Sequence, residues 1–344
     1  MKTIAFFNNK GGVGKTSLVY HIAWMLSLLG ENVLVADLDP QANATSIFIS
    51  EEKIEKIWLE GKATVYDCMK PLIVGIGDIS VPPAIKISDN LSLLPGHLSL
   101  SEVEDQLSET WPKCLSKDER AFRVTTAFSR IIAQSAQSVG AEIALIDVGP
   151  NLGAINRAAL VAADFVVIPL SADLFAIRGL ENVGPKLRDW RCDWQDRLDR
   201  KPANLDIAMP SGGMKPLGYV VSRYSVFARG PVKAYKKWLD RAPHTYRSSV
   251  LREADDPNAT INNDKNNLAT LKDYRSLMPM AQESRKPMFL LKPADGAIGG
   301  HQSAVQECRS DFQGLAQRVL SAIDESSLAD DSFGVSDVSV DGLH

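Results

Sequence analysis

Eight consecutive residues near the start of the chain have the composition of a phosphate-binding loop. They follow an apolar run and precede a helix-like stretch, and they are Asn9, Lys10, Gly11, Gly12, Val13, Gly14, Lys15 and Thr16. Glycines let successive backbone N–H groups turn toward one anion, and the following helix presents its positive N-terminus to that anion. In such a loop Lys15 contacts the β- and γ-phosphates, Thr16 is a ligand of Mg²⁺, and Ser17 lies in the first helical turn. The segment therefore predicts a site for a nucleoside triphosphate and Mg²⁺.

A second lysine, Lys10, precedes the glycines, although a loop of this kind needs only Lys15. Another cation at this position would add positive charge beside the nucleotide, or would reach the nucleotide of a neighbouring molecule. Taken alone, Lys10 is equally consistent with an ordinary solvated side chain. The loop sequence by itself therefore leaves the role of Lys10 open.

Acidic residues follow two further apolar runs. Asp37 and Asp39 come directly after residues 32–36, and Asp147 follows residues 142–146. Carboxylates at the carboxyl ends of strands can orient water or hold hydrated Mg²⁺. Asp147, next to the phosphate loop, has the arrangement of a Walker B aspartate that acts on Mg²⁺ through water. We expect Asp37, Asp147 and Thr16 to form the metal side of the site.

The spacing of apolar residues predicts how these motifs are positioned. Residues 3–7, a helix over 17–29 and residues 32–36 form a βαβ unit, which implies parallel strands. Further strands are predicted at 142–146, 165–169, 217–222 and 288–291, with a helix at 154–163. Apolar strands alternating with helices predict an α/β fold, in which a doubly wound, mostly parallel sheet has helices on both faces.

The long segments 51–130 and 223–285 are expected to be insertions in a single domain that spans residues 1–325. The final residues, 326–344, are polar and acidic and are predicted to form a flexible tail, with a weak strand at 335–340 as the alternative.

Composition excludes several classes of protein. The net charge is −4, so a nucleic-acid or membrane surface would have to be local. Four cysteines lie far apart without a CxxC pair, which argues against structural zinc and a disulfide framework and favours a cytoplasmic protein. No apolar stretch is long enough to cross a bilayer. We therefore expect a cytoplasmic protein without membrane attachment.

Together, these motifs resemble those of the ParA/MinD family, ATPases of the P-loop type whose phosphate loop carries the additional early lysine. The resemblance is strong over residues 1–50 and 141–182. It implies ATP and Mg²⁺ as cofactors, an ATP-dependent homodimer in which Lys10 contacts the nucleotide bound by the other chain, and Asp39 as the residue that positions the hydrolytic water. It also implies an adenine contact at Pro293. The family usually has two prolines after a small residue in the segment that follows Asp147, whereas this sequence has Gly149 and Pro150. This difference leaves the geometry of that second switch segment open.

Two branches of that family fit poorly. Iron proteins of the nitrogenase type need cysteine ligands at the dimer interface, and no cysteine follows Asp147 in its switch region. MinD-like proteins end in a basic amphipathic helix, whereas this sequence ends in acidic and polar residues. The ParA branch is therefore the better match.

ParA proteins bind DNA without sequence specificity, which requires a local basic surface. Residues 223–252 are rich in Lys, Arg and aromatic residues and contain one acidic residue, Asp240. A helix over 232–239 would place lysines on neighbouring turns. The candidate DNA-binding residues are Arg223, Lys233, Lys236 and Lys237. A solvated helix face and a surface for a protein partner are the alternatives.

Three functions remain open from the sequence. The first is a nucleoid-associated partition or positioning ATPase, with slow hydrolysis stimulated by a ParB-like or other adaptor. The second is a nucleotide-gated regulator that acts through a protein partner without binding DNA. The third is an amide- or carboxylate-activating synthetase, for which the sequence shows no substrate pocket. No helix-turn-helix precedes the phosphate loop, so specific operator binding is not expected.

Overall fold

An eight-stranded sheet organises the part of the chain that the computed structural model describes, residues 1–61, 63–80, 84–224, 237–274 and 276–333. In spatial order the strands are β3-β4-β2-β5-β1-β6-β7-β8, and every neighbouring pair is parallel except β3 and β4. Their bounds are β1 Lys2–Phe6, β2 Val33–Asp37, β3 Ile85–Ser88, β4 Leu91–Leu94, β5 Ile143–Asp147, β6 Phe165–Ser171, β7 Lys215–Tyr224 and β8 Asn267–Lys272. The predicted α/β, mostly parallel fold is confirmed.

Helices surround this sheet. The α-helices of the described chain are α1 Lys15–Leu28, α2 Asn43–Phe48, α3 Glu51–Glu60, α4 Val65–Val74, α5 Glu104–Lys113, α6 Glu119–Thr125, α7 Ala127–Val139, α8 Ala154–Val161, α9 Leu174–Leu198, α10 Ala242–Thr245, α11 Met278–Ser284 and α12 Gly300–Phe333. Shorter helical turns are Leu98–Val103, Cys114–Ser116, Tyr246–Leu251, Met288–Leu290 and Pro293–Asp295. Among these described helices, none is both long and apolar enough to cross a membrane.

Side chains of each central strand alternate between two cores, one on each face of the sheet. In β1, Ile4 and Phe6 join the core that contains α1, α3 and α12, whereas Ala5 joins the core under α4 to α9. This period-two alternation of wholly buried residues is what a sheet covered on both faces requires. The register places Phe6 and Asp37 on either side of Asp147. The carboxyl ends of β1, β2 and β5 therefore meet at one edge.

The two long insertions contribute strands to the sheet, which the sequence analysis did not anticipate. Strand β4, within 51–130, pairs in parallel with β2, and β3 forms the edge beside it. Strand β8, within 223–285, pairs in parallel with β7. Its residues include asparagine, threonine and lysine, so the run lacks the continuous apolar signal expected of a buried strand.

The strand predicted at 288–291 is wrong, because Met288–Leu290 forms a 3₁₀ turn. Met288 and Phe289 are buried in the core beside α1 and α12 rather than in the sheet. A short apolar run cannot by itself distinguish a strand from a buried turn. Helix α12 continues through 326–333, so the start of the predicted tail is helical, and the flexibility of the tail stays a prediction. Buried turns have already nucleated that helix, so each added residue needs only propagation. The strand alternative at 335–340 lies outside the described residues.

His21 ties α1 to the C-terminal part of the chain. Its Nδ1 lies 2.7 Å from the carbonyl oxygen of Ser17, and its Nε2 accepts a hydrogen bond of 3.2 Å from the backbone N–H of Met288. The ring stacks on Phe312 with centroids 5.0 Å apart. A carbonyl oxygen accepts and an amide donates, so the neutral ring with its proton on Nδ1 satisfies both contacts. Burial lowers the pKa of His21 from 6.5 to about 4.

We predict that acidification destabilises the fold through His21. The pKa is depressed in the folded chain, so the contribution of the neutral ring is complete above pH 6.5 and is lost as the pH falls toward 4. Between pH 7.5 and 5 this site should cost about 2 kcal/mol of unfolding free energy. Urea unfolding of the parent and of His21→Gln across this range measures the difference. If the variant loses as much stability as the parent, His21 is not the source.

Candidate functional site

The predicted phosphate loop connects β1 to α1 with its glycines in the required backbone conformations. Gly12 has φ 75° and Gly14 has φ 86°, values that only glycine adopts without strain. Gly14 precedes α1, and no described side chain caps that end of the helix. The N–H groups of its first turn therefore remain available to an anion, and the helix dipole favours negative charge there. Val13 is fully buried and fixes the loop to the core.

Lys15 lies beneath this loop with its ammonium group turned toward the loop's own backbone. Nζ donates to the carbonyl of Asn8 at 3.2 Å and to that of Lys10 at 3.5 Å. Burial lowers the pKa of Lys15, whereas the charges of Asp147 and Asp39 act in the opposite direction. A buried ammonium that holds only carbonyl oxygens is suited to exchange them for phosphate oxygens.

Among the three acidic residues of this site, Asp147 is the one whose carboxylate is least compensated by neighbouring groups. It is fully buried at the end of β5, and neither oxygen has a hydrogen-bond partner among the described residues. Burial, together with the nearby Asp37 and Asp39, raises the pKa of Asp147 well above its usual value. The Thr16 hydroxyl and the Lys15 charge act against this rise, although the hydroxyl does not reach hydrogen-bonding geometry with it.

The residues present fit Mg²⁺ carried by a nucleotide. No cluster of three His, Cys, Asp or Glu residues in the described chain could hold a metal by itself. Mg²⁺ commonly uses one or two protein ligands, with phosphate and water oxygens completing the octahedron. Thr16 and the unpartnered Asp147 provide such a partial set, and a bound Mg²⁺ would neutralise phosphate charge. The fit to nucleotide-borne Mg²⁺ therefore rests on Asp147.

Asp37 differs from Asp147, because both of its oxygens are already occupied. Oδ2 accepts from the Thr45 N–H at 2.7 Å and from the Thr45 hydroxyl at 2.6 Å, and Oδ1 accepts from the Asp39 N–H at 3.3 Å. Burial raises the pKa of Asp37 to about 6, against the hydrogen bonds from Thr45 that lower it. The geometry therefore favours a role in fixing the loop after β2 over the metal-ligand role expected from the sequence. No local pattern in the sequence points to Thr45.

Asp39 lies where the loops after β2 and β5 meet. Its Oδ1 accepts the backbone N–H of Gln41 at 3.0 Å. A Cβ placed on Gly149 would lie 3.4 Å from that same oxygen, so the backbone of the second loop passes directly beside Asp39. Pro150 in turn lies against Gly11, and its Cγ is 3.8 Å from the position that a Cβ on Gly11 would take. The Asp39 carboxylate therefore lies beside the backbone of the loop after β5, and that same loop contacts the phosphate loop.

The Lys10 side chain is held by Ser171 at the end of β6 and by Asp173, which precedes α9. Its Nζ lies 2.5 Å from Asp173 Oδ2 and 3.1 Å from the Ser171 hydroxyl. Asp173 also caps α9 through its other oxygen, which fixes it in place. The Lys10 side chain is 28% exposed. The early lysine is therefore at the molecular surface, paired within its own chain.

A cavity of about 300 Å³ adjoins the phosphate loop. It is lined by Gly14 and Ser17 together with Ser222 of β7 and with Tyr274 and Met278, which follow β8. Clefts at the carboxyl ends of parallel strands are the usual ligand sites of open α/β sheets. Pro293, expected to contact adenine, is exposed and is not among the described residues that line this cavity. The sequence places Gly14 and Ser17 at the nucleotide, whereas it gives no signal for Tyr274 and Met278, because they follow β8, a strand that the apolar pattern does not reveal.

The candidate DNA-binding residues fall largely outside the described structure. Lys233 and Lys236 lie in 225–236, which the structure does not describe, and of Arg223 only the strand backbone is described. Lys237 is exposed, and its Nζ lies 5.4 Å from the ring centroid of Trp238. Arg241 packs against the same ring at 5.2 Å. Two basic groups of the predicted surface therefore share one aromatic support.

The chain resembles known proteins in sequence and in fold. The family model AAA_31, described as an AAA domain, matches residues 1–199. The chain is 31% identical over 182 residues to the sporulation initiation inhibitor protein Soj of Bacillus subtilis, which covers 53% of this chain and 63% of Soj. It is 30% identical over 201 residues to the chromosome partitioning protein ParA of Caulobacter vibrioides, which covers 58% of this chain and 67% of that protein. The match thus spans somewhat less than two thirds of Soj.

Among solved structures, protein DIP2308 from Corynebacterium diphtheriae superimposes with a TM-score of 0.69 at 24% identity, covering 94% of this chain and 99% of that one. At that identity the likeness shows the fold alone. The family model covers more than half of the chain. The chain therefore belongs to the AAA_31 family, as a P-loop ATPase of the ParA/MinD type.

Proposed function

We propose that this protein is a ParA-like ATPase that dimerises when it binds ATP, binds DNA nonspecifically as a dimer and hydrolyses ATP to drive the partition or positioning of a cargo. The observation that carries the proposal is the phosphate loop with two lysines, Lys15 buried beneath it and Lys10 at its exposed side. The similarity to partition proteins supports the choice of cargo transport. Location at the nucleoid follows from the DNA binding.

In the proposed hydrolysis, each residue has a separate task. The loop amides and Lys15 bind the phosphates, while Thr16 and Asp147 hold the Mg²⁺ that neutralises their charge. Asp39, beside the loop and fixed by the Gln41 N–H, orients the attacking water. None of these groups becomes covalently attached to the phosphoryl group. Hydrolysis would be slow, with an adaptor of the ParB kind accelerating it.

Dimerisation depends on a change of partner by Lys10. In the single chain its ammonium group is paired with Asp173 at 2.5 Å, a half-exposed contact that water and salt weaken. In the ATP-bound dimer it would instead contact the phosphates held by the other chain, where charge is denser and water is excluded. The added phosphate charge would thus favour the dimer over the monomer.

We predict that Lys10→Ala weakens ATP-driven dimerisation more than it weakens ATP binding by the monomer, because its phosphate contact lies across the interface. Light scattering with ATP and Mg²⁺ should report twice the 37.6 kDa chain mass for the parent and the single mass for the variant. Lys56→Ala, which removes an exposed lysine from α3, is the matched control and should dimerise like the parent. A Lys10→Ala variant that dimerises with ATP as the parent does would contradict the two-lysine account.

The proposed DNA surface has a rigid base in the described structure. Leu239, Ala242 and Tyr246 are buried in the core shared with α9. Arg188 of α9 donates to the carbonyl of Ser249 at 2.7 Å, which ties the following turn to the same helix. Lys237 and Arg241 therefore extend from a segment whose apolar side is buried in the core, and their contacts with phosphates would orient the protein on a duplex without reading bases.

We predict that Lys237→Glu combined with Arg241→Glu weakens ATP-dependent binding to any duplex by a similar factor. Each lost phosphate contact should reduce the slope of log affinity against log salt by roughly one unit. A salt series with two unrelated duplexes measures both effects. Lys53→Glu combined with Lys56→Glu makes the same kind of charge change on α3 and should leave the affinity unchanged.

The same experiment decides between the two leading functions. If the parent binds no DNA with ATP at low salt, DNA binding is wrong and the alternative, a nucleotide-gated regulator acting through a protein partner, takes its place. If the parent binds but the basic variant matches it, DNA binding stands and the chosen surface is wrong.

A further inference from the structure

The loop after β5 sets the space around Asp39, so whatever fixes that loop influences hydrolysis. Asn156 on α8 holds it from one side, donating to the carbonyl of Gly149 at 2.8 Å and to that of Asn151 at 2.7 Å. The Gly149 backbone passes beside the Asp39 carboxylate. Movement of α8 would therefore move the loop relative to the water that Asp39 orients.

The N-terminus of α8 is fixed by a residue from a distant segment. Its own N-cap position is Gly153, which has no side chain to accept the first amides. Instead Glu104 reaches it, with Oε1 accepting from the Ala154 N–H at 2.5 Å and Oε2 from the Ile155 N–H at 2.9 Å. A carboxylate that bridges two amides at a helix N-terminus also gains from the helix dipole.

The fit between Glu104 and α8 leaves no room for a side chain at Gly153. A Cβ there would lie 2.5 Å from Glu104 Oε1 and 3.0 Å from Asn151 Oδ1. Gly153 has an ordinary φ of −75°, so close approach rather than backbone strain favours glycine at this position. Glu104 of α5 and the N-terminus of α8 are therefore packed closely against each other.

Glu104 belongs to a segment that also reaches the first acidic motif. The Gly96 N–H donates to the Thr45 hydroxyl at 2.8 Å, and that hydroxyl donates to Asp37 at 2.6 Å. Between Gly96 and Glu104 the chain forms a short helical turn that buries Leu100 and Val103. One stretch, residues 96–104, thus contacts both Thr45 in α2 and the first residues of α8, the helices that follow the two acidic motifs.

We propose that Glu104 is a positioning residue for ATP hydrolysis, which fixes α8 and thereby holds the loop after β5 in register with Asp39. The inference rests on the proposed role of Asp39. Water and phosphate must be aligned to within a fraction of an ångström for attack, so small displacements of the loop lower the rate steeply. Binding of ATP depends on the phosphate loop, which Glu104 does not contact.

The test compares Glu104→Gln and Glu104→Ala with the parent in basal ATP hydrolysis with Mg²⁺. Glutamine keeps one oxygen acceptor for one of the two amides, so it should retain intermediate activity. We expect kcat to fall by about tenfold to a hundredfold in Glu104→Ala, with KM for ATP nearly unchanged. Glu109→Gln, the same substitution on an exposed position of α5, should match the parent. A merely structural role would lower the melting temperature without this split between kcat and KM.

A second variant tests the same contact from the other side. Gly153→Ala should lower kcat in the parent, because its Cβ displaces the Glu104 carboxylate. In the Glu104→Ala background the same change should have little further effect, since the obstructed group is gone. If Glu104→Ala folds poorly, the comparison of Glu104→Gln with the parent still tests the contact, because glutamine keeps the length of the side chain and offers one acceptor in place of two.

The results of these experiments distinguish a failure of this inference from a failure of the proposed function. A hydrolytically active parent whose kcat is unchanged in folded Glu104 variants would overturn this inference alone, as would fully additive effects of the Gly153 and Glu104 substitutions. A parent that hydrolyses no ATP would overturn the proposed function and this inference together. A reduced kcat at constant KM, partly restored by glutamine, supports it.

Discussion

Like charges crowded at one edge of the sheet are the constraint on which this site depends. Asp37, Asp39 and Asp147 lie at or just beyond the ends of adjacent parallel strands, and two of them are fully buried. Buried carboxylates repel one another unless hydrogen bonds or cations compensate them. Backbone and hydroxyl donors compensate Asp37, and Lys15 lies near the others. Asp147 alone retains two unpartnered oxygens among the described residues. The fold thus places an uncompensated carboxylate, which favours a bound cation, beside a loop whose backbone N–H groups favour phosphate. Together these two features favour binding of a nucleotide with its Mg²⁺.

Segments remote in sequence support that edge. Thr45 and Gly96 fix the first acidic loop, and Glu104 fixes the helix that follows the second. Asp173, after β6, holds the early lysine. The contacts of Gly96 with Thr45, of Glu104 with α8 and of Lys10 with Asp173 join segments that lie at least 50 residues apart, as expected where the carboxyl ends of several parallel strands meet. Residues of the 51–130 segment are therefore in direct contact with the elements that follow both acidic motifs.

The positions of the phosphate loop and of the acidic residues could be predicted from the sequence, whereas the residues that hold them in place could not. The phosphate loop, Asp39 and Asp147 have local signatures, because each follows an apolar strand at a fixed spacing. Glu104 has none, since its role arises only when α5 packs against α8, and one glutamate at the start of a helix resembles any other. The same holds for Thr45. The short run at 288–291 was misassigned because apolar composition alone does not distinguish a strand from a buried turn. Strand β8 was missed for the opposite reason, because polar residues interrupt it.

The central claim is that the loop around Lys15 binds the phosphates of ATP, and a calorimetric titration of ATP into the chain with Mg²⁺ tests it most directly. The account predicts one ATP bound per chain by the parent. Lys15→Ala should lose measurable binding, because a charge-assisted contact to phosphate is worth about 1.5–3 kcal/mol and its loss leaves phosphate charge unpaired. Equal ATP affinity in the parent and in a folded Lys15→Ala variant would contradict the placement of the nucleotide and every role derived from it.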